Sequence, residues 1–436
     1  MKWYSTVFDG IGGKLKTRFE DFVVEEITPE GQPLEVTDWG GKQSRPLVIQ
    51  DEVKKPKFVI FTLQKMGIST MGAANIIAAS LKVSRAHITY AGLKDKRAVT
   101  AQAMSGPVRI SDDLSKLNLS NIMIRGFRHS RRPVQIGDLW GNRFNILVRE
   151  IDPPCEKARG NIEKITEIPL LNYYGIQRFG LTRPITHIVG KALVQSNYRE
   201  AVRTMLCTPG EYESDELKAA REELSKDLQP TSDTIEAFPQ SLGYERDVMK
   251  QLLRDPDDFQ RAISRIPPRM LTLFVHAYQS YLFNHLISER AESGMSLTKP
   301  HPGDFLIQLD QTHSGRDSWL YVTEASLDER AAQVSAGEYG IAVPVPGYST
   351  RLPPSKQSDV VRRLLKEESV TLRDFRNTDV KALDSPGGLH LAAIVVADLE
   401  TSCSEDGLRV RFRLRKGSYA TVVLREIMKN HPINRV

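Results

Sequence analysis

The run AGLKDKRAVTAQ, residues 91–102, sets one carboxylate, Asp95, among three bases, Lys94, Lys96 and Arg97. A solvated turn with loose ion pairs, each contributing about 0–1 kcal/mol, would give the same pattern. The alternative is an acid kept ionised beside a bound polyanion and ready to act as a nucleophile. The rest of the chain has to decide between them.

Other familiar chemistry is absent from the sequence. It contains no P-loop, no strand-flanked G-x-G-x-x-G, no H-E-x-x-H and no G-x-S-x-G. The nine histidines are scattered, and His276 and His285 have the wrong spacing on one helix to share a metal ion. GIGG near the N-terminus matches the GXXG of KH domains, but four such residues carry little weight. No cofactor and no metal site is therefore expected.

Arginines and aromatics do cluster. RGFRHSRR places Arg125, Arg128, Arg131 and Arg132 around Phe127 and His129, side chains that pair with phosphates and stack on bases. In LRVRFRLRK, Arg409, Arg411, Arg413 and Arg415 alternate with apolar residues and so line one face of a strand. An unpaired arginine face points to phosphate, although a solvated sheet face shows the same alternation.

The chain's 436 residues are enough for two or three domains. The net charge is +6, unevenly spread: residues 1–150 carry +8, residues 385–436 carry +3, and the segment between them carries −5. Two basic ends around an acidic middle imply a polyanion held mainly by the ends. No apolar run approaches the roughly 18 residues of a membrane span, and the N-terminus lacks a signal-peptide apolar core. Cytoplasm is the expected compartment and a monomer the expected state. Cys155, Cys207 and Cys403 are distant and odd in number, so neither a disulfide framework nor a paired-cysteine zinc site is expected.

The elements that must position Asp95 read as mixed α and β. DFVVEEIT, KFVIFTLQK, HITYAGL, NIMIRGF and RFNILVREI have strand composition. STMGAANIIAASLKV reads as a helix capped by Ser69 or Thr70. The middle carries helices in SDELKAAREELSKDL, LTLFVHAYQSYLFNHLISER and SLDERAAQVSA, with short strands in FLIQL and WLYVTE. After SPGG come strand, turn, strand and helix: LAAIVVADLE, GLRVRFRLR, SYATVVLREIMKN. That tail is too short to fold alone, and so is expected to complete the N-terminal sheet, with the middle as an insertion.

GLKDKRAVTAQ resembles the signature of the TruD-type pseudouridine synthases, in which such a run carries the catalytic aspartate. LKTRFEDFVVEE, GNRF, NYYGIQRFG and GSYATVVLRE are similar to further motifs of that family, in the same order along the chain. The likeness is to the archaeal-type members. It implies an α+β protein: a pseudouridine-synthase catalytic fold, with a mixed, largely antiparallel sheet and helices, interrupted by a helix-rich α/β insertion. The expected segments are residues 1–169 and 385–436 for the catalytic domain and 170–384 for the insertion. The implied activity is isomerisation of a uridine in tRNA, typically at position 13 of the D-arm, without metal or organic cofactor. A broader RNA set, or RNA binding without catalysis, are the alternatives.

The resemblance also assigns roles. Asp95 is the expected nucleophile and Lys16 the cation that keeps it ionised in a closed pocket. Lys94, Lys96, Arg97, Arg131 and Arg132 are expected on phosphates around a nucleotide that has left its stack. Phe22, Phe144 and Asn142 are expected to bound the pocket, Asn142 by hydrogen bonds that tell uracil from cytosine. Tyr419, after the cap candidate Ser418, is expected to stack on the uracil.

Overall fold

The computed structural model describes residues 1–39, 53–309 and 319–435. The chain forms two compact units: Tyr4–Leu170 with Gln308–Gly315 and Ile394–Val436, and Met1–Trp3 with Leu171–Ile307 and Arg316–Ala393.

The first unit is built on a nine-stranded sheet. Its N-terminal strands are β1 (Gly12–Lys14), β2 (Phe22–Ile27), β3 (Phe58–Met66), β4 (Thr89–Tyr90), β5 (Val99–Pro107), β6 (Ile122–Ser130) and β7 (Gly141–Ile151). Two strands of the tail, Ala397–Ser404 and Gly407–Arg415, extend it in the order 397–404, 407–415, β7, β2, β5, β3, β6. The β2–β5 pair is parallel and the other pairs are antiparallel. Phe412 lies opposite Phe144, which lies opposite Val24. Residues opposite one another share a face, so one face carries Phe22, Val24, Glu26, Lys65, Thr100, Asn142, Phe144 and Phe412. Gly141 has to be glycine, because a Cβ there would sit 2.0 Å from the Leu414 carbonyl oxygen.

Helix α1 (Thr70–Ser80) is capped by Ser69, whose hydroxyl accepts from the Gly72 amide. Its Ala73, Ala74 and Ile77 bury against Phe61, Leu63 and Met104 of the sheet. The strand expected over HITYAGL is only Thr89–Tyr90. Beyond it the chain is drawn off the ladder: the Ala91 carbonyl accepts from the Gly137 amide (2.8 Å) and the Gly92 carbonyl from Gln102 Nε2 (3.0 Å). LAAIVVADLE likewise is not one strand; the strand that joins the sheet is Ala397–Ser404.

Two further expectations need correcting. Cys155 and Cys403, 248 positions apart, form a disulfide with a Cα separation of 5.9 Å. Distance along the chain was a poor guide, because sheet pairing of the tail brings Ala397–Ser404 against the helix Cys155–Ile162. The arginine face of Gly407–Arg415 does not stand open for phosphate. Arg409 donates to Asn145 Oδ1 (3.0 Å), Arg411 pairs with Glu400 (3.3 Å) and Arg413 pairs with Asp398. Arg413 and Arg415 also lie over the Trp140 ring, at 5.6 and 5.0 Å. This is the sheet face opposite Phe144.

The second unit is helical around Pro268–Glu292, a helix of 25 residues. It also holds a four-stranded sheet in the order Trp319–Tyr321, Phe305–Gln308, Tyr339–Val345, Gly388–Leu391. Arg290, on the long helix, pairs with buried Asp304 through both carboxylate oxygens (2.7 and 2.8 Å). Among the described residues no helix is long and apolar enough to cross a membrane.

Candidate active site around Asp95

Asp95 lies in the loop between β4 and β5, with its side chain about a third exposed. Lys16 Nζ stands 2.9 Å from its Oδ1 and is itself buried. Lys16 takes a left-handed backbone conformation, with φ of 54°. Such a conformation costs an ordinary residue about 1–2 kcal/mol and persists only where neighbours hold it. Here the Leu15 amide is tied to the Asn434 carbonyl (2.9 Å), and the Lys16 ammonium lies 4.3 Å from the Phe22 ring centroid. A hydrophobic ring and a carboxylate therefore hold the cation from two sides.

The loop is fixed from beneath by polar groups on the inner sheet face. Lys94 Nζ pairs with Glu26 Oε2 at 2.5 Å, both side chains buried, and the other Glu26 oxygen accepts from the Ala103 amide (2.9 Å). The Lys94 amide donates to Thr70 Oγ1 (3.0 Å), which donates on to Gln102 Oε1 (3.0 Å). Lys65, fully buried near the end of β3, donates from Nζ to the Asp95 carbonyl oxygen (2.7 Å). Burial pushes the Lys65 ammonium down to about 8, with Asp95 working against the shift and Lys94 adding to it.

Lys94 is thus corrected: it is not held out to a phosphate but bonded inside, its buried ammonium paired with the Glu26 carboxylate, since a buried charge needs a partner. Lys96 and Arg97, the next two bases, are exposed beside Asp95. Arg131 and Arg132 are exposed just past β6, Arg131 Nε donating to the Lys54 carbonyl (3.2 Å). Phe22 and Phe144 are buried in the core, their rings 6.4 Å apart edge to face, with Phe144 stacked on Phe412 at 5.4 Å. Asn142 lies opposite Glu26 on the same sheet face, and its buried Oδ1 has no hydrogen-bond partner. Leaving such an acceptor unmet costs about 1–3 kcal/mol. Tyr419, not Ser418, is the N-cap of the helix Ala420–Met428, and its side chain is 36% exposed.

Lys65, Glu26, Thr70 and Gln102 escaped the sequence reading. Strand parity could have found two of them: Lys65 falls in step with Phe61 and Leu63, and Glu26 with Phe22 and Val24. A charged residue on the buried parity of a strand needs a partner. Chemically, the arrangement offers one partly exposed carboxylate, supplied with a neighbouring cation and clamped at its backbone. Among the described residues no three of His, Cys, Asp and Glu cluster as a metal site.

Comparison with known proteins shows the family of the chain. The model of the family "tRNA pseudouridine synthase D (TruD)" matches residues 1–427. A "Probable tRNA pseudouridine synthase D" of Methanosarcina acetivorans is 32% identical over 443 residues, covering 99% of this chain and 96% of the relative. A "Probable tRNA pseudouridine synthase D 1" of Methanocaldococcus jannaschii is 33% identical over 420 residues, 96% of each chain. The crystal structure of the "Putative tRNA pseudouridine synthase D (TruD)" from Methanosarcina mazei superposes with a TM-score of 0.80 at 31% identity, covering all of this chain and 97% of that one. Over nearly its whole length, this chain belongs to the tRNA pseudouridine synthase D (TruD) family, and with it to the isomerases.

Proposed function

We propose that this protein isomerises a uridine of tRNA to pseudouridine, at position 13 of the D-arm, with Asp95 as the nucleophile and without a metal or organic cofactor. The observation that carries this reading is the Lys16–Asp95 pair, a carboxylate partly open to substrate beside a buried ammonium 2.9 Å away. Isomerisation breaks the bond from C1′ to N1 and makes one from C1′ to C5. The base gains a proton at N1 and loses one from C5, so no outside redox partner is needed. Asp95 is placed to attack the nucleotide, or to assist cleavage of the glycosidic bond, while the uracil turns. Asn142 Oδ1 would accept the N3–H that uracil has and cytosine lacks. Lys96, Arg97, Arg131 and Arg132, all exposed, would take the phosphates. Residues 170–384 would form the insertion between the two catalytic segments.

Tritium release from tRNA labelled at uridine C5, with the modified position mapped afterwards, tests the reading. Release from wild-type protein with the label at position 13 supports it. Release from another position would keep the reaction and move the site.

A further inference from the structure

We propose that Leu93 and Ile136 form an apolar wedge that enters the base stack of the RNA and holds open the gap left by the target nucleotide. The inference deepens the reading of Asp95 as the reacting group. Leu93, two residues before Asp95, is 66% exposed, and Ile136 is 76% exposed. Single exposed apolar side chains are ordinary. These two stand on loops that are bonded to each other, through the Gly137 amide and the Ala91 carbonyl (2.8 Å).

Neither loop is free to fold its side chain away. Around Leu93, the Gly92 carbonyl is held by Gln102, the Lys94 amide by Thr70 and the Asp95 carbonyl by Lys65. Around Ile136, the Gln135 amide donates to Asp138 Oδ2 (2.8 Å) and the Asp138 amide to the Gln135 carbonyl (3.0 Å). Val134 and Leu139, on either side of that turn, are buried in one cluster with Ala91 and Ile60. The apolar tips therefore stand on hydrogen-bonded loops, Leu93 two residues before Asp95 and Ile136 on the turn bonded to Ala91.

The occupant that fits is a pair of unstacked nucleobases. A base buried in paired RNA must leave its stack to react, at a cost of a few kcal/mol. Apolar side chains inserted between base steps hold such openings. The exposed bases in the same part of the chain, Lys96 and Arg97 after Leu93, Arg131 and Arg132 before Ile136, suit the phosphates that flank the opened step.

The test compares single-turnover conversion by the parent, by Leu93→Ala/Ile136→Ala and by Leu93→Met. Two RNAs are used: folded tRNA, and the same tRNA with the pairs next to the target uridine mismatched. The double variant should be slower by about tenfold or more on folded tRNA, with its Kd changed by less than about threefold. The mismatched RNA should restore most of its rate, and Leu93→Met, which keeps an apolar tip, should lose less rate on folded tRNA than the double variant; an equal loss would count against the wedge. Parental rates for the double variant on folded tRNA, or equal slowing on both RNAs, would overturn the wedge. A parent that converts neither RNA contradicts the proposed reaction instead, so the two failures are distinguishable.

Discussion

Lys16 Nζ and Asp95 Oδ1 are 2.9 Å apart, although the residues are 79 positions apart in sequence. The pair joins the segment before β2 to the loop before β5, and it sets a buried cation against a carboxylate that is about a third exposed. Asp95→Asn should remove pseudouridine formation, by at least about a thousandfold, while changing tRNA affinity less than about threefold. Lys16→Met should slow turnover by about a hundredfold or more through loss of the counter-charge. Substantial turnover in Asp95→Asn would sink the assignment.

Lys65 makes the site sensitive to pH. Its charge fades as pH rises through about 8, so single-turnover rates should fall above that pH, and Lys65→Met should be slow but lack the step. For stability the sign is opposite. Between about 8 and the ordinary value of 10.5 the unfolded chain keeps a proton that the folded chain has released. Stability then rises with pH across that window from this group. Melting of parent and variant at either end of the window checks this: the parent should gain on Lys65→Met as pH rises.

The Glu26–Lys94 pair is internal, so its loss should show in stability before it shows in RNA binding. Glu26→Gln leaves a buried ammonium without its counter-ion and should cost about 3–5 kcal/mol in denaturant unfolding. Lys96→Ala/Arg97→Ala should leave stability unchanged and flatten the salt dependence of tRNA binding by about 0.7 per lost phosphate contact. A flattened slope in Lys94→Met would return Lys94 to the RNA surface.

The Cys155–Cys403 disulfide ties the tail to the N-terminal half of its unit. Cys155→Ser should lower stability by about 2–4 kcal/mol. Reductant should lower the parent by the same amount and leave the variant alone. A parent indifferent to reductant would remove the bond from the account.

Tyr419→Phe keeps the ring at the helix cap and removes only the hydroxyl, so turnover should stay near the parent's. On the proposal that this ring stacks on the target uracil, worth about 1–3 kcal/mol per base, Tyr419→Ala should show slower conversion with little change in melting. If the Phe variant is as slow as the Ala variant, the hydroxyl itself takes part.

The sequence alone determined much of this protein. Strand composition marked β2, β3 and β6, alternation marked β7 and Gly407–Arg415, and a Ser69 or Thr70 cap with helical spacing marked α1, because these signals are local. The single acid in GLKDKRAVTAQ left two readings open, and the likeness of the whole run to a family signature singled out Asp95. Three things needed the tertiary structure. β5 escaped notice, since Ala101, Ala103 and Gly106 lack the bulk that marks a strand; it is central because β2 and β3 pair with it from both sides. The bases around Asp95 look alike in sequence, yet Lys94 points into a carboxylate while Lys96 and Arg97 face water. The path of the loop decides that sorting: it turns Lys94 inward onto Glu26 of β2, and a buried cation must find a partner. Cys155 and Cys403 meet because the tail pairs with β7, and sheet pairing is indifferent to the number of residues between the strands it joins.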